Sequence, residues 1–123
     1  MMSYTIKATD NKLCIEFNGV LNALDLIFLN QSQDYQSGLK KAERLMLDFS
    51  QITGSELTKA DTHGLLMLGK LDSQKVHDIQ LFIVTAEADS EIIEKLCTVI
   101  FAQSSWQVHV CDNRRRADSL FNI

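Results

Sequence analysis

One short run constrains this chain more than any other: IQLFIVT, residues 79–85. Its apolar residues follow one another without the alternation of a half-exposed strand. Such a run marks a strand buried on both faces, inside a sheet that helices cover. The segments on either side are helical, as that requires. Upstream, a helix is predicted from about Thr58 to about His77. Downstream, ADSEIIEKLCTVIFAQ opens on Asp and Ser and places Ile92, Ile93, Leu96 and Ile100 on one helical face.

The same alternation of element types extends over the chain. YTIKAT sets Tyr4, Ile6 and Ala8 on one side with a period of two, and KLCIEFNG repeats the pattern with Leu13, Ile15 and Phe17. DNK between them is a turn, so the two strands form a hairpin. Asn22 then caps a helix with Asp25 in its first turn. Leu24, Ile27, Phe28 and Tyr35 recur along it at helical spacing, and it stops near Gly38. RLMLDFS is a further strand, WQVHVC a last strand, and DNRRRADSLF a last helix capped by Asp112 or Asn113. The order is β-β-α-β-α-β-α-β-α. Strands alternating with helices require right-handed crossovers and a largely parallel sheet. The expectation is an α/β fold in one domain, residues 3–122, with a mixed, mostly parallel sheet, an N-terminal antiparallel hairpin and about four helices. Strands near 45–50, 79–85 and 106–111 are expected to be mutually parallel, with Ile79 to Val84 central.

A chain of 123 residues has room for one such domain with a real core and no cross-links. Hydrophobic content of 46% and charged content of 23% are those of an ordinary globular protein. The net charge of −4 leaves no electrostatic footprint for nucleic acid or an anionic membrane, and neither is expected as a partner. No apolar run approaches the ~20 residues that span a bilayer. MMSYTIKATD lacks the basic stretch and apolar core of a signal peptide, which makes the cytoplasm the expected location. Cys14, Cys97 and Cys111 are odd in number, far apart and set in apolar contexts, so reduced, structural thiols are expected.

Residues that carry chemistry are sparse. His63, His77 and His109 show no metal-ligand spacing, and the five glycines are isolated, so no phosphate-cradling loop exists. No cofactor, metal or catalytic constellation is expected. Arg114, Arg115 and Arg116 open the last helix, where the helix dipole disfavours them, and they read as a solvated charge run. Trp106 reads as core or rim packing.

The informative stretch is LMLDFSQITGSELTKADTHGLLMLGKL, Leu45 to Leu71. Thr58-Lys59-Ala60-Asp61 has the form of a capping box, with Thr58 as N-cap and Asp61 reaching back. On a wheel of 100° per residue, Leu65 and Leu68 centre the expected buried face, with Met67 and Leu71 at its flanks. Thr62 falls off that centre and His63 on the polar side, so both are expected to be accessible. TGSEL, just before the helix, reads as part of an extended loop.

These segments resemble a known family. ERLMLDFSQI is similar to the central strand of the STAS domain, the fold of bacterial anti-sigma-factor antagonists. ADTHGLLMLGKL resembles the start of the helix that follows it there, which typically reads Asp-Ser-Ser-Gly, and WQVHVCDNRRRADSLF resembles the closing strand and helix. The likeness covers Tyr4 to Phe121, and the longer loop is closest to the divergent SpoIIAA-like branch. Asp48 and Asp61 are thirteen residues apart, more than in typical members, so TGSEL looks like an insertion. The resemblance implies a noncatalytic interaction or regulatory module of the anti-sigma-factor-antagonist kind. It sets Thr62 in the place of the family's phosphorylated serine and His63 in that of the second serine. It implies a protein partner, either a regulator or kinase-like protein or a second copy of the chain. The expected contact region is the loop Thr53 to Leu57 and the helix start Thr58 to Gly64, with Ser55, Thr58, Asp61, Thr62, His63 and Gly64 as contact residues. The alternative is a carrier or sensor of a small apolar or anionic ligand held between sheet and helices.

Overall fold

The chain opens on the expected hairpin. Strand β1 (Ser3–Thr9) turns at Asp10 and Asn11 and pairs antiparallel with β2 (Lys12–Leu21). Asp10 takes the left-handed conformation the turn needs, at φ 47°, which Asp tolerates better than most residues. The structure, a computed structural model, describes residues 2–122. Helices α1 (Ala23–Gln31) and α2 (Gln33–Lys41) follow, then β3 (Arg44–Ser55), α3 (Lys59–Lys75), β4 (Gln80–Val84), α4 (Glu87–Ile100), β5 (Gln107–Cys111) and α5 (Arg114–Phe121). The sheet order is β1-β2-β3-β4-β5, and every pair after the hairpin is parallel. Strand β4 is internal, as its apolar run requires, with Leu81 and Ile83 buried, although the central position belongs to β3.

The sheet has two unlike faces. Leu13, Ile15 and Phe17 of β2 share one core with Leu45 of β3 and with Ile79, Leu81 and Ile83, under a layer made by α1 to α4. Cys14, Met46, Phe82, Val84 and Cys111 point the other way and form a smaller core with Ala117 and Phe121 of α5. Each fully buried side chain of this kind contributes about 1.5–3 kcal/mol. Trp106 is buried, as expected, with its ring stacked on Phe101 and its Nε1 donating to the Val76 carbonyl at 2.6 Å. All three cysteines are free and buried.

Several local expectations are corrected. The single helix expected after Asn22 is two, so the helices among the described residues number five. Ser32 separates them: its hydroxyl donates to the Leu29 carbonyl at 2.7 Å and accepts from the Tyr35 amide at 3.2 Å. One side chain thus ends α1 and caps α2, offering the backbone an alternative to a continuous helix. Gly38 does not stop the helix. It lies inside α2 where a Cβ would come within 3.0 Å of Leu13, so glycine there permits close packing of helix on strand. The α5 cap is Asn113, which accepts from the Arg116 amide at 2.8 Å.

Two predicted apolar faces are also turned. Leu24, Ile27 and Phe28 of α1 are exposed, and Leu29 is the residue buried there. On α3, Leu65 and Leu68 are only half-buried. The inward row of α3 is Leu66, Gly69, Ser73 and Val76, with Asp72 beside it, and Gly69 lets the Phe101 ring approach. The reason is that contacts from other elements set the inward side: the Phe101 ring packs on Gly69, and Asn30 Nδ2 donates to the buried Asp72 at 2.8 Å. On α4, Ile92 is exposed, while Cys97 and Ile100 are buried.

Candidate functional site

The start of α3 is built by its own side chains. Thr58 is the N-cap, its hydroxyl accepting from the Asp61 amide at 3.0 Å, and the Asp61 carboxylate accepts from the Thr58 amide at 3.0 Å. The expected capping box is therefore closed in both directions. Thr62, fourth in the helix, is half-buried, and its hydroxyl donates to the Thr58 carbonyl at 3.2 Å. Its backbone amide already donates to the same carbonyl at 3.0 Å. No free helix-end amide is left at Thr62 to receive an added anion. His63 and Gly64 are exposed, and a Cβ at Gly64 would meet no atom within 4 Å.

The approach to this helix is not a long loop. Thr53, Gly54 and Ser55 belong to β3, with Gly54 opposite Val20 and Ser55 opposite Leu21. The Glu56 amide still donates to the Leu21 carbonyl at 2.8 Å. The apparent insertion is an overhang of β2 and β3 beyond the rest of the sheet, with two register shifts at which β3 carries one residue more than β2. The Ser55 hydroxyl accepts from the Leu57 amide at 3.1 Å and tightens the remaining turn. Ser55, Thr58, Asp61, Thr62, His63 and Gly64 thus lie together at one end of α3, but the first four have structural hydrogen bonds of their own.

Beside them lies a feature that sequence reading assigned to the core. Among the described residues nine large apolar side chains are exposed, and seven sit on α1, α3 and α4: Leu24, Ile27, Phe28, Met67, Leu71, Ile92 and Val99. Helix α3 lies between α1 and α4 in this layer. Asn30 Nδ2 donates to Asp72 Oδ2 at 2.8 Å and fixes the end of α1 against α3. Ser90, Glu94 and Thr98 line shallow clefts at the β5 edge, and Ile92 and Val99 lie about 140–160° round α4 from Glu94, away from those clefts. The sequence did hold a signal. Helix α1 is apolar nearly all round (ALDLIFLNQ), which a surface helix has no internal reason to be.

The opposite face carries the charge. Arg114 of α5 donates through Nη1 to Glu16 at 2.7 Å and to Asp48 at 2.8 Å, and through Nε to Asp118 at 2.7 Å. Lys7 adds a contact to Glu16 at 2.9 Å. Glu16 and Asp48 are register partners on β2 and β3, so two carboxylates stand side by side and one guanidinium bridges them. The Lys7 and Arg114 hydrogen bonds hold the Glu16 carboxyl below its usual range. Desolvation would lower the Arg114 pKa, but its three carboxylate partners outweigh that and raise it. Arg114 is therefore an anchor rather than part of a solvated run, while Arg115 and Arg116 are exposed. At the other end of α5, Arg44 donates to the Phe121 carbonyl at 2.9 Å. Inside the helical layer, burial raises the Asp72 pKa against the hydrogen bonds from Asn30 and Gln36, and the Tyr35 hydroxyl is raised as well by burial. Burial also raises the thiols, Cys97 to about 11.

Two open clefts near β5 have volumes of about 180 Å³ and about 300 Å³. Both sit at or below the lower end of the ~300–1,000 Å³ that pockets for small molecules occupy. Among the described residues no group of three His, Cys, Asp or Glu is placed to hold a metal. No helix is long and apolar enough to cross a membrane.

No protein-family model matches this chain, and no curated protein matches it. Among solved structures it is similar to an uncharacterised protein of the DUF3478 family with a SpoIIAA-like fold, from Shewanella loihica PV-4. The TM-score is 0.55 at 16% identity, over 98% of this chain and 93% of the other. Such a likeness speaks to architecture. With its antiparallel hairpin, four parallel strands and helices on both faces, this chain has a SpoIIAA-like, STAS-type fold.

Proposed function

We propose that this chain is a noncatalytic protein-docking module, and that its contact surface is the outer face of α1, α3 and α4 together with the start of α3. The observation that supports this is the concentration of seven of the nine exposed large apolar side chains on one layer. Taking ~180 Å² for the full surface of each such residue, their exposed fractions sum to on the order of 700 Å², and the five on the adjacent α1 and α3 supply on the order of 450 Å², within the ~300–600 Å² of the largest and often functional patch on a typical monomer. His63 and Gly64 continue that surface at its N-terminal end, with no structural bond of their own. In this reading Thr62 is a helix residue with its hydroxyl engaged, not a phosphorylation switch.

The test uses four forms of the chain as bait in native extract: wild type, Phe28→Asp, Thr62→Ala and Thr62→Glu. Each captured protein is then titrated against all four. The reading expects a partner that wild type, Thr62→Ala and Thr62→Glu hold equally and that Phe28→Asp loses. A partner held equally by Phe28→Asp overturns the surface. Loss with Thr62→Glu alone restores the phospho-switch. A rise in melting temperature with a small molecule, and no protein bound, favours the carrier reading instead.

A further inference from the structure

The outer helical face is distinctive in charge as well as in apolar area. On α1 the exposed residues are Leu24, Ile27, Phe28 and Gln31, and on α3 between His63 and Gln74 they are His63, Gly64, Met67, Leu71 and Gln74. None of these is Asp, Glu, Lys or Arg, in a chain with a net charge of −4. On α4 the exposed residues do carry charge, Glu87, Asp89, Glu91, Glu94 and Lys95, and Lys59 and Lys75 flank α3 at its ends, so the uncharged face is that of α1 and the middle of α3. A partner chosen by electrostatic complementarity would leave fixed charges of the opposite sign on such a face. A contact about a two-fold axis has the reverse requirement: each patch meets its own copy, so unpaired charge of one sign would repel itself. This face meets that requirement while the rest of the acidic surface does not.

The area agrees. The five exposed apolar side chains of α1 and α3 expose on the order of 450 Å², against an apolar share of roughly 450–520 Å² in the ~800 Å² that each partner buries in a standard interface. We infer that the occupant of this face is a second copy of the chain, in a symmetric dimer in which α1 and α3 of one copy cover those of the other. The inference rests on the docking reading above and names its partner. Phe28, the most exposed aromatic of the face at 63%, is the residue expected to carry most of the affinity, since buried aromatic anchors dominate such contacts.

Sedimentation equilibrium over a wide concentration range tests this on the full chain. Wild type is expected to dimerise reversibly. Phe28→Asp and, independently, Met67→Asp are expected to raise the dissociation constant at least about tenfold with unchanged circular dichroism. Ser119→Asp, on the exposed side of α5, is expected to leave it unchanged. A wild type that stays monomeric overturns the inference. If Phe28→Asp then still loses a captured partner, the docking reading survives without it. A dimer insensitive to both face variants overturns the inference too, by placing the contact elsewhere. A monomer that floats with phosphatidylcholine vesicles, and no longer does so as Phe28→Asp, overturns it in favour of a lipid surface.

Discussion

The two faces of the sheet are held by different physics. One is covered by four helices over a continuous apolar core that runs from Leu13 to Ile83, and its outer side remains apolar. The other is covered by a single eight-residue helix over a small core, with Arg114 gripping the sheet at one end and Arg44 at the other. Burial does most of the holding on the first face, and directed polar bonds supplement it on the second. Where burial suffices, the outer surface is free to take on another task. Where it is thin, polar bonds from Arg114 and Arg44 help to keep the helix in place.

The largest expected effect is at the thin core. Phe121 is 6% exposed and packs edge-on against Phe82, so Phe121→Ala should cost about 3–5 kcal/mol in a urea titration. A loss below about 1 kcal/mol would mean that α5 is not needed to cover this face. Next comes Arg114→Met, which keeps much of the stem but leaves Asp48, at 3% exposure, without its cation. A cost of about 1–3 kcal/mol is expected, held down by the Ser50 amide that still donates to Asp48 at 2.8 Å. Replacing Asp48 by Asn in the same chain should recover part of it.

Acid sharpens the contrast, because one carboxylate on each face shifts in the opposite direction. Glu16 has a lowered pKa, so its contribution is present above its unfolded value near 4.5 and is lost as pH falls through the folded value. Asp72 has a raised pKa, so the folded chain holds its proton more tightly. Its contribution is present below the unfolded value near 3.8 and is lost as pH rises through the folded one. Stability measured from about pH 3 to about pH 7 should therefore rise less steeply in Glu16→Gln and more steeply in Asp72→Asn than in wild type. Equal slopes in all three would contradict both assignments.

The smaller effects belong to the start of α3. Thr58→Ala opens the capping box and should cost about 0.5–2 kcal/mol, whereas Thr62→Ala should stay within about 0.5 kcal/mol. Gly64→Ala should stabilise by about 0.5–1 kcal/mol, because the position is helical, exposed and sterically open. If Gly64 is a contact residue, the same change weakens docking while it strengthens the fold. That separation no purely structural glycine would show.

The strands were the legible part of this sequence. IQLFIVT, KLCIEF and RLMLDF carry period-two or continuous apolar patterns that only a sheet with these neighbours satisfies, and all three are strands. The capping box was legible because it is local, four residues that bond one another. The helical faces were not. In α1, apolar residues surround the helix, so no stripe shows which side is inward. In α3, the inward row includes Gly69, Asp72 and Ser73, whose burial depends on Phe101, Asn30 and Tyr35 from other elements. Arg114 read as part of a solvated charge run for the same reason, since Glu16 lies 98 residues away and Asp48 lies 66. The exposed apolar side chains Leu24, Phe28 and Met67 stood in the sequence as apolar positions but counted as core.

The most direct test of the claim that this face docks a second copy is the urea midpoint as a function of protein concentration. Association of folded chains stabilises them by mass action. In wild type the midpoint should therefore rise with concentration. In Phe28→Asp it should be flat and equal to the dilute wild-type value, since an exposed side chain contributes little to the fold of one copy. A flat wild-type midpoint, or a Phe28→Asp midpoint well below the dilute wild-type value, would contradict the account.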